Sequence, residues 1–85
     1  SYEGVEEVMH FAFKSSRSIR TVRLPASVRK ISINAFYECA ALKYVYLPDN
    51  FEVMEKCTDN ANIRCEFIHK GRQYSYEEAI VKFKE

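Results

Sequence analysis

Glycine is scarce. Two residues in 85 leave no glycine-rich loop of the kind whose backbone amides cradle a phosphate. Cysteine numbers three, an odd count that argues against a fold stapled only by disulfides. An excess of either charge is also missing: 13 basic side chains face 12 acidic ones, for a net charge of +1. The chain as a whole therefore has no field to draw it to nucleic acid or to an anionic membrane. No apolar run approaches the ~20 residues of a membrane-spanning helix, and no stretch has the layout of a signal peptide. The spacing of cysteine and histidine offers no nucleophile with an oriented base. These absences leave one domain at most, with a modest core and no catalytic signature.

What is present is repetition. From Ala35 to Pro48 the chain reads A-F-x-x-C-x-x-L-x-x-V-x-L-P, and 23 residues earlier, from Ala12 to Pro25, the same frame recurs with Ser16 at the Cys39 position. The lead-ins match as well, with Val5 and Val8 before the first copy and Val28 and Ile31 before the second. A fixed period in the twenties, with no insertion or deletion, marks stacked repeats. In each copy a short strand alternates, so Ile19, Val22 and Leu24 point inward while Thr21 and Arg23 point outward. Proline then stops the pairing, because Pro25 and Pro48 have no amide hydrogen. Stacking makes columns of Val22 with Val45, Leu24 with Leu47 and Ile19 with Leu42, and Phe13 and Phe36 fill the space between layers. Cys39, at the turn before the strand, reads as a small packed residue rather than a nucleophile.

Beyond Pro48 the frame decays. Phe51 and Met54 keep the offset from Val28 and Ile31, so a third copy begins, but its Ala-Phe pair is missing. Cys57 to Cys65 reads as a shortened version after a five-residue deletion, with Cys57 in the place of Cys39 and Ile63 and Cys65 in those of Val45 and Leu47. Lys70-Gly71 forms a turn. Ser75 and Glu78 then fit a capping box, and Tyr76, Ala79, Ile80 and Phe83 recur at i, i+3, i+4 and i+7, an amphipathic helix of about two turns. Too short to stand alone, it is expected to dock on the open end of the last repeat.

The frame A-F-x-x-C-x-x-L-x-x-V-x-L-P, preceded by V-x-x-I, resembles the BspA-type leucine-rich repeat. The likeness covers Val5 to Met54 and extends toward Ile80: Ile63-Arg64-Cys65, with Gly71, Tyr74, Glu77, Glu78 and Ala79, is similar to the segment that often ends such arrays. The resemblance implies an α/β repeat, a right-handed leucine-rich-repeat solenoid with a short parallel sheet, turn-rich crossings and a C-terminal capping helix. It divides a single domain, 1–85, into repeats at about 5–27 and 28–50, a degenerate repeat at 51–67 and a capping segment at 68–85. Two full copies fall below the three that solenoids normally need, so the chain ends are specialised caps or the chain is a piece of a longer array. The resemblance also implies adhesion or protein binding, in bacterial and protist proteins that are often surface-exposed. It implies no catalytic residues and no cofactor.

The candidate binding surface is the outward ladder Thr21, Arg23, Tyr44 and Tyr46, flanked by Arg20, Lys43 and Arg64. Tyrosine and arginine are enriched at interface hot spots; the competing reading is that cross-strand tyrosines only stabilise the sheet. The chain is basic between His10 and Pro48, where seven basic residues accompany one acid, Glu38. Acids gather at Glu3, Glu6 and Glu7 and toward the C-terminus. Basic groups among aromatics could also stack single-stranded nucleic acid, which the net charge disfavours. Cys57, Cys65 and His69 lack the close Cys pair and fourth ligand of a structural zinc site. A Cys57–Cys65 disulfide stays open if the protein is exported, and His10 reads as a surface or core histidine. The expectation is a non-enzymatic, monomeric protein-interaction or adhesion module, at the cell surface or secreted, with the cytoplasm as the other compartment. The alternative is a structural terminal cap with no binding of its own.

Overall fold

The computed structural model describes residues 7–8, 18–58 and 64–84, with the side chains of 7–8 excepted. Expectations resting on Glu3, Val5, Glu6, His10, Ala12, Phe13, Ser16 and Ile63 lie outside the described residues. In chain order the elements are β1 (Glu7–Val8), β2 (Thr21–Arg23), β3 (Lys30–Ile31), β4 (Tyr44–Leu47), β5 (Val53–Met54), β6 (Glu66–His69), β7 (Arg72–Ser75) and α1 (Tyr76–Lys82).

The period becomes register. Residues 23 apart in sequence sit side by side in two parallel ladders: Thr21, Val22 and Arg23 of β2 against Tyr44, Val45 and Tyr46 of β4, and Glu7, Lys30 and Val53 along the narrow sheet β1-β3-β5. That narrow sheet lies where turn-rich crossings are expected, and Lys30 and Ile31 pair there as strand. The turns before it repeat in kind: the amide of Val28 donates to the carbonyl of Pro25 at 3.1 Å, and that of Phe51 to Pro48 at 3.0 Å. Both proline positions thus end a strand and open a turn.

The third copy departs from the expected alignment. β6 pairs with β4 at an offset of 22, which places Phe67 opposite Val45 and His69 opposite Leu47. Cys65 therefore does not occupy the Leu47 position. By β6 the copy is thus shorter by one residue, not by five. Cys65, Phe67 and His69 are all buried, and a histidine at the end of an apolar column is what hid the strand from an apolar pattern. His69 fits there because its Nε2 lies 3.2 Å from the Asp49 carbonyl oxygen and its ring meets Phe83 edge-on at 5.1 Å.

β6 then folds back on itself. Lys70 and Gly71 have φ of 53° and 77°, the positive pair that a two-residue type I′ hairpin demands. Glycine meets that demand without a Cβ penalty. β7 returns antiparallel, His69 opposite Arg72 and Glu66 opposite Ser75, and completes the order β2-β4-β6-β7. Ser75 ends β7 and caps α1: its Oγ accepts from the Glu78 amide at 3.1 Å, and Glu78 Oε1 accepts from the Ser75 amide at 2.9 Å. The expected capping box is present, and the helix buries Tyr76 and Ala79, with Phe83 just beyond it. One core takes side chains from both sheets and from this segment, including Val22, Ile31, Phe36, Val45, Met54, Phe67, Ala79 and Phe83. Cys39 is packed within it, at 1% exposure.

Candidate functional site

Register places two rows of side chains across the outer face of the β2-β4-β6-β7 sheet. One row is Thr21, Tyr44, Glu66 and Ser75; the other is Arg23, Tyr46, Ile68 and Gln73. Their strand neighbours Val22, Val45 and Phe67 are buried, so the alternation of a strand turns both rows away from the core.

The rows hold four of the seven residues expected from sequence, Thr21, Arg23, Tyr44 and Tyr46, and Lys43 reaches them from beside Tyr44. The Arg23 guanidinium stands 4.2 Å from the centroid of the Tyr46 ring, and the Lys43 ammonium 5.7 Å from that of Tyr44. Each cation lies over a π face whose negative quadrupole attracts it, by about 0.5–1 kcal/mol at an exposed site. Thr21 lies beside Tyr44 in the same row. Arg20 and Arg64 are exposed, but among the described residues no side-chain contact draws either guanidinium onto the rows. Arg20 contributes through its backbone, since its carbonyl accepts from the amides of Lys43 at 2.8 Å and Tyr44 at 3.2 Å.

Sequence reasoning missed the other half of the face. Glu66, Ile68, Gln73 and Ser75 belong to it because the hairpin adds an antiparallel strand, and the Gln73 side-chain amide donates to the Glu66 carboxylate across that hairpin. Lys70-Gly71 between two four-residue strands was the available signal. Cations are treated differently on the two sheets. On the narrow sheet Arg29 pairs with Glu52 at 3.5 Å and Lys30 with Glu55 at 3.7 Å. Among the described residues, no carboxylate pairs with Arg20, Arg23, Lys43 or Arg64.

The other reactive groups are spent on packing. Cys57 and Cys65 are reduced thiols, not a disulfide, each at 1% exposure or less. Burial, then the neighbouring Cys65, pushes the Cys57 thiol far above its ordinary value; burial, then Cys39, pushes Cys65 up to about 12. Both stay protonated at neutral pH and so are poor nucleophiles. Among the described residues, no group of three or more His, Cys, Asp or Glu is placed to hold a metal ion. Beside α1, an open groove of about 500 Å³ is lined by Tyr74, Glu77, Glu78, Val81 and Lys82.

The buried thiols give a pH prediction. A thiol whose pKa is raised by folding stabilises the fold fully below the unfolded value, near 9, and loses that contribution as pH rises toward the folded value. Above pH 9 the unfolded chain binds fewer protons, so stability falls by up to ~1.4 kcal/mol per pH unit for each thiol. Urea unfolding at pH 10 is expected to give a stability about 2–3 kcal/mol below that at pH 7.5. The double substitution Cys57→Ala/Cys65→Ala should flatten that slope; an unchanged slope would show that other groups cause it.

Searches of curated proteins and of solved structures return no match. A family model does match, that described as BspA type leucine rich repeat region (6 copies), over residues 2–78.

Proposed function

Because the chain belongs to the BspA-type leucine-rich repeat family, whose repeats commonly mediate protein interactions or adhesion and are typically non-catalytic, we propose that it is a protein-binding module. In this reading the bound surface is the outer face of the β2-β4-β6-β7 sheet, and its anchors are Arg23, Lys43, Tyr44 and Tyr46, with Thr21 between them and Arg20 and Arg64 at the rim. The observation that supports it most is the pairing of each tyrosine with a cation, Tyr46 with Arg23 from the neighbouring strand and Tyr44 with Lys43, the residue before it. Rigid aromatics supply contact area at low entropic cost, and a paired sheet holds them in place before a partner arrives. We also propose that the copies, with boundaries near 27/28 and 50/51, form one short stretch of a right-handed solenoid, monomeric and displayed at a cell surface or secreted. No described helix is long and apolar enough to cross a membrane.

The test is capture of partners by this chain from host and bacterial extracts, beside the variant Tyr44→Ser/Tyr46→Ser. The expected result is a partner held by the wild type and weakened at least about tenfold by the folded variant, since hot-spot residues contribute ≥2 kcal/mol each. A partner held equally by both would move the site elsewhere. A second reading has its own observation. The hairpin and α1 cover one end of the core, with the Met54 amide donating to the Phe83 carbonyl at 2.9 Å, so the chain could serve only as a terminal cap. In that case the double variant would lose stability and no partner would be captured.

A further inference from the structure

We propose that the partner presents a short, extended, acidic polypeptide segment, whose carboxylates lie over the β2–β4 half of the sheet face. The inference rests on the binding role proposed for that face. Three observations carry it, and the first is charge. The cations of the narrow sheet are neutralised within the fold by Glu52 and Glu55, whereas those of the broad face, Arg23 and Lys43 foremost, have no carboxylate partner among the described residues. Their contacts are with π faces, which leave the guanidinium and ammonium hydrogens open to an acceptor. A carboxylate arriving there makes charge-assisted hydrogen bonds with groups already held in position.

The second observation is polarity within the face. The acid on it, Glu66, lies on β6 and takes a hydrogen bond from Gln73 of β7. The cations stacked on the tyrosines thus belong to the β2–β4 half, whereas the outward rows carry their one carboxylate on β6, so an acidic segment is better placed over β2–β4. The third is size. Among the described residues the face spans three inter-strand gaps of about 4.8 Å, roughly 14 Å, which four or five extended residues cover. Nucleic acid fits less well, because its affinity grows with the number of phosphates neutralised and this half of the face supplies few cations.

The probe is an acetylated octapeptide alternating glutamate and threonine, titrated by fluorescence anisotropy at low and moderate salt. The controls are its glutamine counterpart and a short oligothymidylate. Binding of the glutamate peptide at least about tenfold tighter than the glutamine one, weakened by salt, is expected. Arg23→Glu/Lys43→Glu should remove that preference, while Arg29→Glu, on the other sheet, should leave it unchanged. Equal binding of the two peptides, or tighter binding of the oligothymidylate, would overturn the proposal. The same charge-reversed variant separates it from the reading on which it rests. A partner captured by Arg23→Glu/Lys43→Glu but lost by Tyr44→Ser/Tyr46→Ser would refute an acidic partner and leave the binding face standing.

Discussion

Phe36→Ala is expected to destabilise the chain by about 3–5 kcal/mol, the usual range for truncating a buried phenylalanine. Phe36 is 1% exposed and among the largest fully buried side chains of the molecule. It sits at the turn that opens the strand of its copy, and its backbone is fixed from both sides. Its amide donates to the Cys57 carbonyl at 2.7 Å, and its carbonyl accepts from Thr58 Oγ1 at 3.4 Å. These bonds reach into the next copy and hold the backbone in place, so it cannot move in to fill the space the lost ring leaves. A chain of 85 residues has roughly 4–13 kcal/mol of stability in all, at the usual ~0.05–0.15 kcal/mol per residue. The variant should therefore unfold at markedly lower urea, and near the lower bound it should be largely unfolded at 37 °C. Val81→Ala, at 73% exposure, should stay within about 0.5 kcal/mol of wild type. An unmoved urea midpoint for Phe36→Ala would mean that the 23-residue frame does not describe the core.

The second large effect belongs to Phe83. Its ring meets Phe51 and His69 edge-on, both at 5.1 Å, and Tyr74 at 6.3 Å, while its carbonyl takes the Met54 amide at the edge of β5. One residue thus ties the helix to the third copy, to the hairpin and to the narrow sheet. Phe83→Ala should cost about 3 kcal/mol, the lower end for such a truncation, because the C-cap of a seven-residue helix relaxes more readily than the middle of the core. Its consequence should differ in kind from that of Phe36→Ala. With α1 loosened, the edge of β5 is open to strand addition by another molecule, so light scattering should show concentration-dependent association. A destabilised variant that stayed monomeric at high concentration would show that the edge does not depend on the helix for its protection.

How much of this was readable beforehand depended on whether one residue's chemistry was enough. The columns Val22–Val45 and Ile31–Met54 were legible because both partners are apolar and the spacing is constant. The capping box was legible because Ser75 and Glu78 act over three residues. Strand β6 was not, because burial of His69 depends on a carbonyl and a ring that arrive from Asp49 and Phe83, both remote in sequence. The turn at Lys70-Gly71 was seen but its product was not: Arg72 to Ser75 carries no apolar alternation, and register with β6 alone makes it a strand. The same gap divided the candidate face. Its β2 and β4 rows were visible as outward positions of a repeat, whereas Glu66, Ile68 and Gln73 became members only through the hairpin. Arg64 was included from its place in the sequence, and an exposed side chain with no side-chain contact among the described residues gives no pattern to read.

The hairpin also grades the search for the fold along the chain. Pairing β2 with β4 closes a loop of about 20 residues, whereas pairing β6 with β7 closes one of two. On a logarithmic law for loop closure the shorter link costs about 2 kcal/mol less in chain entropy. The segment from Glu66 to Phe83 combines that cheap pairing with a helix whose cap is the final residue of the hairpin. Order can therefore be reached there by local moves. Each parallel strand on the N-terminal side must find a neighbour one whole copy away, and a template already in register shortens that search.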